Sequence, residues 1–338
     1  GALPSEITLN LRNSASTVID TWTAVVGAGG VPATNTFTYT CIGTEDVYYL
    51  EMTIPDDCGV SYRFNYSVAA PLYADDQEPN AAAGSAIIAN AGTDYEGRVS
   101  FEYDNTNDWY RLQAPNDGVI TVTVLAENAG PTASTMTVFF RNSSSSVLET
   151  WTANVGANGS PITTTFTRNC TGTEAVYYLE MANPAICGVS YQFNYTVAAP
   201  LYGDDQEPNE SAGPAIIANV GTDYEGRLSF NYDNTIDWYR LQAPNDGVIT
   251  VTVMAEHAGP SAGTMTVFFR NSSSSVLETW TANVGANGSP VTTVFTRNCT
   301  GTEAVYYLDL RDPTVCGVSY SFNYSVAAPL YADDVEPN

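Results

Sequence analysis

Short stretches in which polar and apolar residues alternate run the length of the chain. Gly118–Ala126 reads GVITVTVLA, with Thr set against Val, Ile and Leu. Tyr62, Phe64, Tyr66 and Val68 alternate with polar residues in YRFNYSV, and Ile7–Arg12, Val47–Met52 and Met136–Arg141 are further runs rich in β-branched and aromatic residues. A period of two places alternate side chains on opposite faces of a strand. Clusters of Gly, Asn, Asp and Pro (NAGTDYEGR, APNDG, VGANGSP) punctuate the intervals. Many short strands between such turns predict an all-β sandwich of jelly-roll type rather than βαβ units. A single helical turn is expected around Ala81–Ala83, after Pro79.

The pattern repeats. Trp22, Trp151 and Trp280 occupy the same local sequence, each 129 residues from the next. The pairs Cys41/Cys58, Cys170/Cys187 and Cys299/Cys316 follow the same period, as does the acidic stretch opening at Asp75, Asp204 and Asp333. The chain of 338 residues therefore holds about 2.6 periods. Self-similarity on this scale marks a tandem array. TMTVFFRNSSSSVLETWTANVGANGSP appears at Thr135 and again at Thr264, whereas the first copy has drifted to ITLNLR where the others read MTVFFR. Near-identity of two copies points to recent duplication within a longer array.

The segment AAPLYADDQEPN, with two prolines, clustered acids and no alternation, is the best boundary. Cutting there gives modules at 73–201 and 202–330, each expected to hold eight or nine strands. Residues 1–72 become the C-terminal part of a preceding module and residues 331–338 the start of the next. In that phase residues 1–72 lack the front strands that cover their core, so they are expected to expose sheet edges and apolar faces. Continuation upstream is favoured over completion by a neighbouring chain.

The cysteines come two per period, always 17 apart. The first of each pair precedes a VYYL strand and the second a GVSYxFNY strand, which places both near one end of a hairpin. Disulfides Cys41–Cys58, Cys170–Cys187 and Cys299–Cys316 are predicted, each stabilising its module by about 3 kcal/mol in the chain-entropy treatment. Two Cys per module without a repeated His cannot complete a zinc site. Disulfides imply an oxidising, extracellular compartment. The five Trp invite a sugar-stacking reading, but Trp109 and Trp238, inside DWYRLQAP at the start of a strand pattern, are expected in the core.

Composition narrows the partners. Eleven basic residues, all Arg, face 37 acidic ones, for a net charge of −26. So acidic a chain is a poor match for nucleic acid or anionic membrane surfaces, and it favours solubility and divalent cations. No apolar run approaches the roughly 20 residues of a membrane helix. The only His, His257, is Asn128 in the preceding copy, no thiol remains once the cysteines pair, and no nucleophile or phosphate-binding motif appears. The chain is read as non-enzymatic.

Two acidic segments repeat together. Asp76, Glu78 and Asn80 alternate in the connector, and Asp104 to Asp108 (DNTND) lie directly before Trp109; in the next module they become Asp205, Glu207, Asn209 and Asp233, Asp237. All offer the hard oxygens that calcium prefers. Alternate residues of an extended segment point the same way, so the connector can face one ion and the DNTND turn can supply its other side. A solvated acidic linker followed by Asx turns accounts for the same residues.

The pattern DDQEPN…GTDYEGRLSFNYDNTIDWYRLQAPNDGVITVTV, closing with CGVSYQFNYTV, resembles the bacterial pre-peptidase C-terminal domain over nearly the whole 129-residue period. Its most specific parts are the EPN start and the D…DWY core. Collagen-binding domains of clostridial collagenases are similar. The resemblance implies a jelly-roll-like sandwich on secreted proteins. It also implies calcium held by Asp76, Glu78, Asn80, Asp104 and Asp108, and by their counterparts Asp205, Glu207, Asn209, Asp233 and Asp237. Calcium there is expected to stiffen the joint between modules. The array character also resembles long surface proteins and filaments of marine gliding bacteria. The expected role is a structural repeat of an extracellular fibre or adhesin stalk, packed against neighbouring repeats and copies of itself. A collagen- or polysaccharide-binding module, with a surface glycan or protein polymer as partner and Tyr62 and Tyr66 as a contact strip, is the alternative, as is a spacer of a secreted protease.

Overall fold

The computed structural model describes residues 5–39, 47–53, 60–100, 105–169, 171–172, 174–229, 234–298 and 303–328. The predicted alternation becomes strands almost throughout. Residues 73–201 contain nine strands: β4 (Ile87–Ile88), β5 (Tyr95–Val99), β6 (Asn107–Gln113), β7 (Val119–Asn128), β8 (Ser134–Arg141), β9 (Val147–Val155), β10 (Ile162–Arg168), β11 (Val176–Ala182) and β12 (Val189–Ala198). They follow three strands in residues 1–72: β1 (Ser5–Arg12), β2 (Val18–Val26) and β3 (Tyr49–Met52). Residues 202–330 repeat the nine as β13 (Ile216–Ile217), β14 (Tyr224–Leu228), β15 (Ile236–Gln242), β16 (Val248–His257), β17 (Gly263–Arg270), β18 (Val276–Val284), β19 (Val291–Arg297), β20 (Val305–Arg311) and β21 (Val318–Ala327). The helical turn is a 3₁₀ turn at Ala83–Ser85, two residues later than the sequence suggests.

Each nine-stranded unit is two facing sheets. In the first unit of this kind a four-stranded sheet of order β10-β7-β12-β5 lies over a five-stranded sheet of order β4-β6-β11-β8-β9. The next unit reproduces both orders. Apart from the short parallel pairs β4·β6 and β13·β15, the ladders are antiparallel. The inward positions of β7 (Ile120, Val122, Val124, Ala126) and β12 (Tyr191, Phe193, Tyr195) meet Tyr110, Leu112, Val138, Phe140, Tyr177 and Leu179 from the other sheet, all at most 1% exposed. Burying each large side chain contributes about 1.5–3 kcal/mol. This is the all-β sandwich read from the pattern.

Among the described residues of 1–72 the strands form the single sheet β2-β1-β3, the counterpart of β9-β8-β11. The strand expected at Tyr62–Val68 is not formed: residues 60–71 pair with no strand, and Tyr62, Phe64 and Tyr66 are exposed. Their counterparts Tyr191, Phe193 and Tyr195 are buried because β12 is flanked by β5 and β7. Without those two neighbours the ladder hydrogen bonds have no partners. Nothing then offsets the roughly 1–2 kcal/mol per residue of backbone entropy that ordering costs.

Trp109 and Trp238 are buried, but not between the sheets. Trp109 projects from the outer face of β6, covered by the Arg141 guanidinium 4.9 Å from its ring and by Tyr178 at 5.9 Å; Trp238 sits identically beneath Arg270 and Tyr307. Trp151 packs against the core, stacked on Phe166 at 4.9 Å, as Trp280 stacks on Phe295 and Trp22 on Phe37. Cys187 and Cys316 are disulfide-bonded. Cys41, Cys58, Cys170 and Cys299 lie outside the described residues, so the pairing itself stays an expectation. Among the described residues no helix is long and apolar enough to cross a membrane.

Candidate metal centre

The connector does not hang between units. The backbone N–H of Leu72 donates to the buried Glu127 carboxylate (2.8 Å) and that of Ala74 to Glu96 (2.9 Å), while Arg98 Nε donates to the Tyr73 carbonyl (2.8 Å). Leu201, Gly203 and Arg227 repeat these bonds with Glu256, Glu225 and Tyr202. The connector is thus strapped across the edge of the sandwich that follows it. Three residues on, it turns its acidic side chains towards the start of β6.

There the strap closes. The Trp109 N–H donates to the Asn80 carbonyl (3.0 Å), which sets Asn80 beside Asp108. Asp76 Oδ2 accepts from Tyr110 Oη (2.6 Å) and from the Asn80 amide. Tyr110 Oη lies 2.9 Å from Tyr191 Oη, which donates to Asp108 Oδ2 at 2.5 Å. One oxygen of each carboxylate is therefore held by a tyrosine. Gly97 makes room for that pair: a Cβ there would sit 2.3 Å from the Tyr191 hydroxyl and 2.9 Å from that of Tyr110. In the next unit Asp205, Asn209, Tyr239, Tyr320 and Asp237 repeat the chain of bonds, with Gly226 in the same place.

The other oxygens have nothing to bind. Asp76 Oδ1, Asn80 Oδ1 and Asp108 Oδ1 are buried with no hydrogen-bond partner, and so are Asp205 Oδ1, Asn209 Oδ1 and Asp237 Oδ1. One oxygen each from Asp76, Glu78 and Asp108 lie within 4.8 Å of one another, as do those of Asp205, Glu207 and Asp237. Asn80, Asp108, Asn209 and Asp237 are wholly buried, while Glu78 and Glu207 reach solvent. An unpaired buried polar atom costs on the order of 1–3 kcal/mol, and a charged one more. Three such atoms in each unit, two of them on carboxylates of the same close cluster, call for a positive partner or a proton.

The electrostatics agree. Burial, and then the charge of Asp76, push the Asp108 carboxyl up to about 8. Burial raises Asp76 as well, and Asp237 is driven well above the carboxylate range by burial and by Asp205. Asp205 and Glu207 are raised mainly by burial. The Tyr110 and Tyr239 hydroxyls are pushed upward by burial and remain donors. The donor set fits a hard cation: two carboxylates, an amide oxygen and a solvent-facing carboxylate, all oxygen. The clusters could hold a metal ion.

Of the residues expected at the site, Asp76, Glu78, Asn80 and Asp108 come together, and so do Asp205, Glu207, Asn209 and Asp237. Asp104 and Asp233 lie outside the described residues. Asp108 and Asp237 act from the second residue of a strand, not from a turn. The paired tyrosines escaped the sequence reading, because Tyr at an inward strand position looks like packing. The available signal was two hydroxyl-bearing aromatics, in DWYRL and GVSY, at positions otherwise apolar.

No protein-family model matches the sequence, and no curated protein matches it. Solved structures share some likeness. The tandem CBM22-1–CBM22-2 domains of Paenibacillus barcinonensis Xyn10C are 12% identical, covering 70% of this chain and 91% of that one, with a TM-score of 0.25. The PBSX exported protein XepA is 12% identical over 80% of this chain and all of its own, at 0.19. A fucolectin from striped bass serum is 12% identical over 68% and 84%, at 0.21.

Proposed function

We propose that the chain is a non-catalytic run of structural repeats from an extracellular fibre, filament or adhesin stalk, in which calcium fastens each connector to the sandwich that follows. The observation that carries this reading is the set of three orphaned buried oxygens in each unit, together with three carboxylates whose oxygens lie within 4.8 Å of one another. A bound Ca²⁺ supplies the missing positive partner. Asp76, Glu78, Asn80 and Asp108 would hold it in one unit, and Asp205, Glu207, Asn209 and Asp237 in the next. With its near end strapped by Glu127 and its far end by the ion, a connector has little freedom left, and the array behaves as a rod. Affinity of about 10⁻⁴–10⁻³ M suits an extracellular module. The acidic surface, the cysteine usage and the repeat all suit a secreted, bacterial setting in which the partners are neighbouring repeats and further copies. The likeness to pre-peptidase C-terminal domains belongs to the same reading.

The polymer-binding alternative draws no support from Tyr62 and Tyr66, whose counterparts Tyr191 and Tyr195 are core residues. His257 contributes no catalytic pairing either, since its ring nitrogens lie against the carbonyls of Ser261 and Asn169. Small-angle X-ray scattering tests the proposal. In millimolar calcium the paired units should scatter as an extended body of fixed shape, and in chelator as a broader ensemble. Identical profiles in both would remove calcium as the stiffening agent.

A further inference from the structure

The outer face of the five-stranded sheet differs in character from the rest of this acidic chain. Its outward positions are Trp109 and Arg111 on β6, Tyr178 and Glu180 on β11, and Phe139 and Arg141 on β8, while the residues between them enter the core. Ladder register sets Tyr178 between Arg111 and Arg141 in one row, and Glu180 between Trp109 and Phe139 in the next. The following unit carries Arg240, Tyr307 and Arg270 in the same row, with Asp309 in place of Glu180, and adds Arg311. Five of the eleven Arg thus lie on this face, against one acid in each unit, in a chain of net charge −26.

Two of those guanidiniums are unmatched. Arg141 is bound to Glu180 and lies 4.9 Å from the Trp109 ring and 5.1 Å from that of Phe139, and Arg270 and Arg311 are bound to Asp309. Elsewhere in the complete units Arg98 and Arg227 bond connector carbonyls, and Arg168 and Arg297 pair with Glu149 and Glu278. Arg111 and Arg240 make no ion pair and no side-chain hydrogen bond among the described residues, and both are half-exposed. Beside them stand Tyr178 and Tyr307, half-exposed rings packed against Trp109 and Trp238. The joint between the complete units leaves this face open. Ser229 Oγ donates to Asp117 Oδ1 there, and His257 Nε2 lies 3.1 Å from the Asn169 carbonyl. Those groups sit in loops and at strand ends, so units that follow one another by this contact do not cover the rows.

We propose that this face binds an acidic polysaccharide, with sugar rings against Tyr178 and Tyr307 and carboxylate or sulfate groups on Arg111 and Arg240. The planar fork of a guanidinium matches such anions two bonds at a time. A neighbouring aromatic ring supplies contact area to the apolar face of a sugar. At the salt of an extracellular medium the Debye length is about 8 Å or less, so distant acids are screened and the nearest charges decide. One such site is weak, but one in each unit lets a long polymer engage several at once, which raises its overall affinity. The inference rests on the extracellular setting proposed above and does not depend on calcium.

Binding of the intact chain to immobilised polygalacturonate, dextran sulfate and unsubstituted dextran tests this, run in chelator at about 0.15 M salt. At least one acidic polymer should bind and neutral dextran should not; the better of the two acidic polymers tells carboxylate from sulfate. Arg111→Gln combined with Arg240→Gln should weaken binding by about tenfold and leave the melting temperature unchanged, since neither side chain loses an ion pair. Arg63→Gln, the same change of charge in the exposed segment 60–71, should bind as the intact chain does. No binding to either acidic polymer overturns the proposal. So does a double variant that binds normally, or an Arg63→Gln chain weakened as much. Polyglutamate bound as tightly as the acidic polysaccharides would also overturn it, because charge alone would then be read. Binding that appears only with calcium would place the polymer at the acidic clusters and count against it too. Loss of calcium uptake with polymer binding intact would sink the metal reading and leave this one standing.

Discussion

Asp108 shows at one residue what the acidic cluster does to its unit. Its carboxyl is raised to about 8, chiefly by burial, whereas an unfolded Asp titrates near 4. The folded, metal-free chain therefore holds a proton that the unfolded chain releases. Stability from this group is complete below pH 4 and is lost as pH rises towards 8, at up to about 1.4 kcal/mol per pH unit. Asp237 shifts in the same direction. In chelator the melting temperature should fall between pH 5 and pH 8. In calcium the sign reverses, because the ligands must be ionised to bind, so the stabilisation gained on adding calcium should grow over the same interval. A melting temperature in chelator that climbs with pH would show that these carboxylates are not buried together. The acids themselves were legible as alternate residues in the connector and as the D preceding WY. The Tyr110–Tyr191 pair that aims them was not, since its two members lie 81 residues apart and meet only when the two sheets close.

At the scale of elements, alternation located the strands, but pairing decides which of them form. YRFNYSV at residues 62–68 and YQFNYTV at 191–197 carry nearly the same pattern, yet only the second is a strand, because only it has β5 and β7 beside it. Outward and inward faces are equally hard to tell where both are aromatic. Trp109 and Tyr110 are neighbours in sequence, and the larger ring faces out under Arg141 while the smaller enters the core. The strapped connector is a further case. AAPLYADDQEPN reads as a loose linker, and its order comes from Glu127, 55 residues away at the end of β7. Glu127→Ala should leave the Leu72 N–H and the Ser190 hydroxyl without their acceptor and destabilise the unit by about 1–3 kcal/mol. Urea unfolding, with early proteolytic cutting near residue 72, is the check. An unchanged midpoint and cutting rate would mean the strap is not held there.

For the whole molecule, the period of 129 residues makes the architecture legible in the sequence, because each complete period is one unit that buries its own core. The relation between units was less accessible. The contact at Asp117, Ser229 and His257 joins residues 88 to 112 positions apart, and none has a side chain that marks it as an interface residue. Rigidity of the array then has two sources in this account, the unit-to-unit contact and the clamped connector. The second rests on a cation. Calorimetric titration with calcium measures that directly: the chain should take up two Ca²⁺ at millimolar concentration or below, Asp108→Asn and Asp237→Asn should each take up one, and the double variant none. No uptake by the intact chain, or two ions still bound by the double variant, would contradict it.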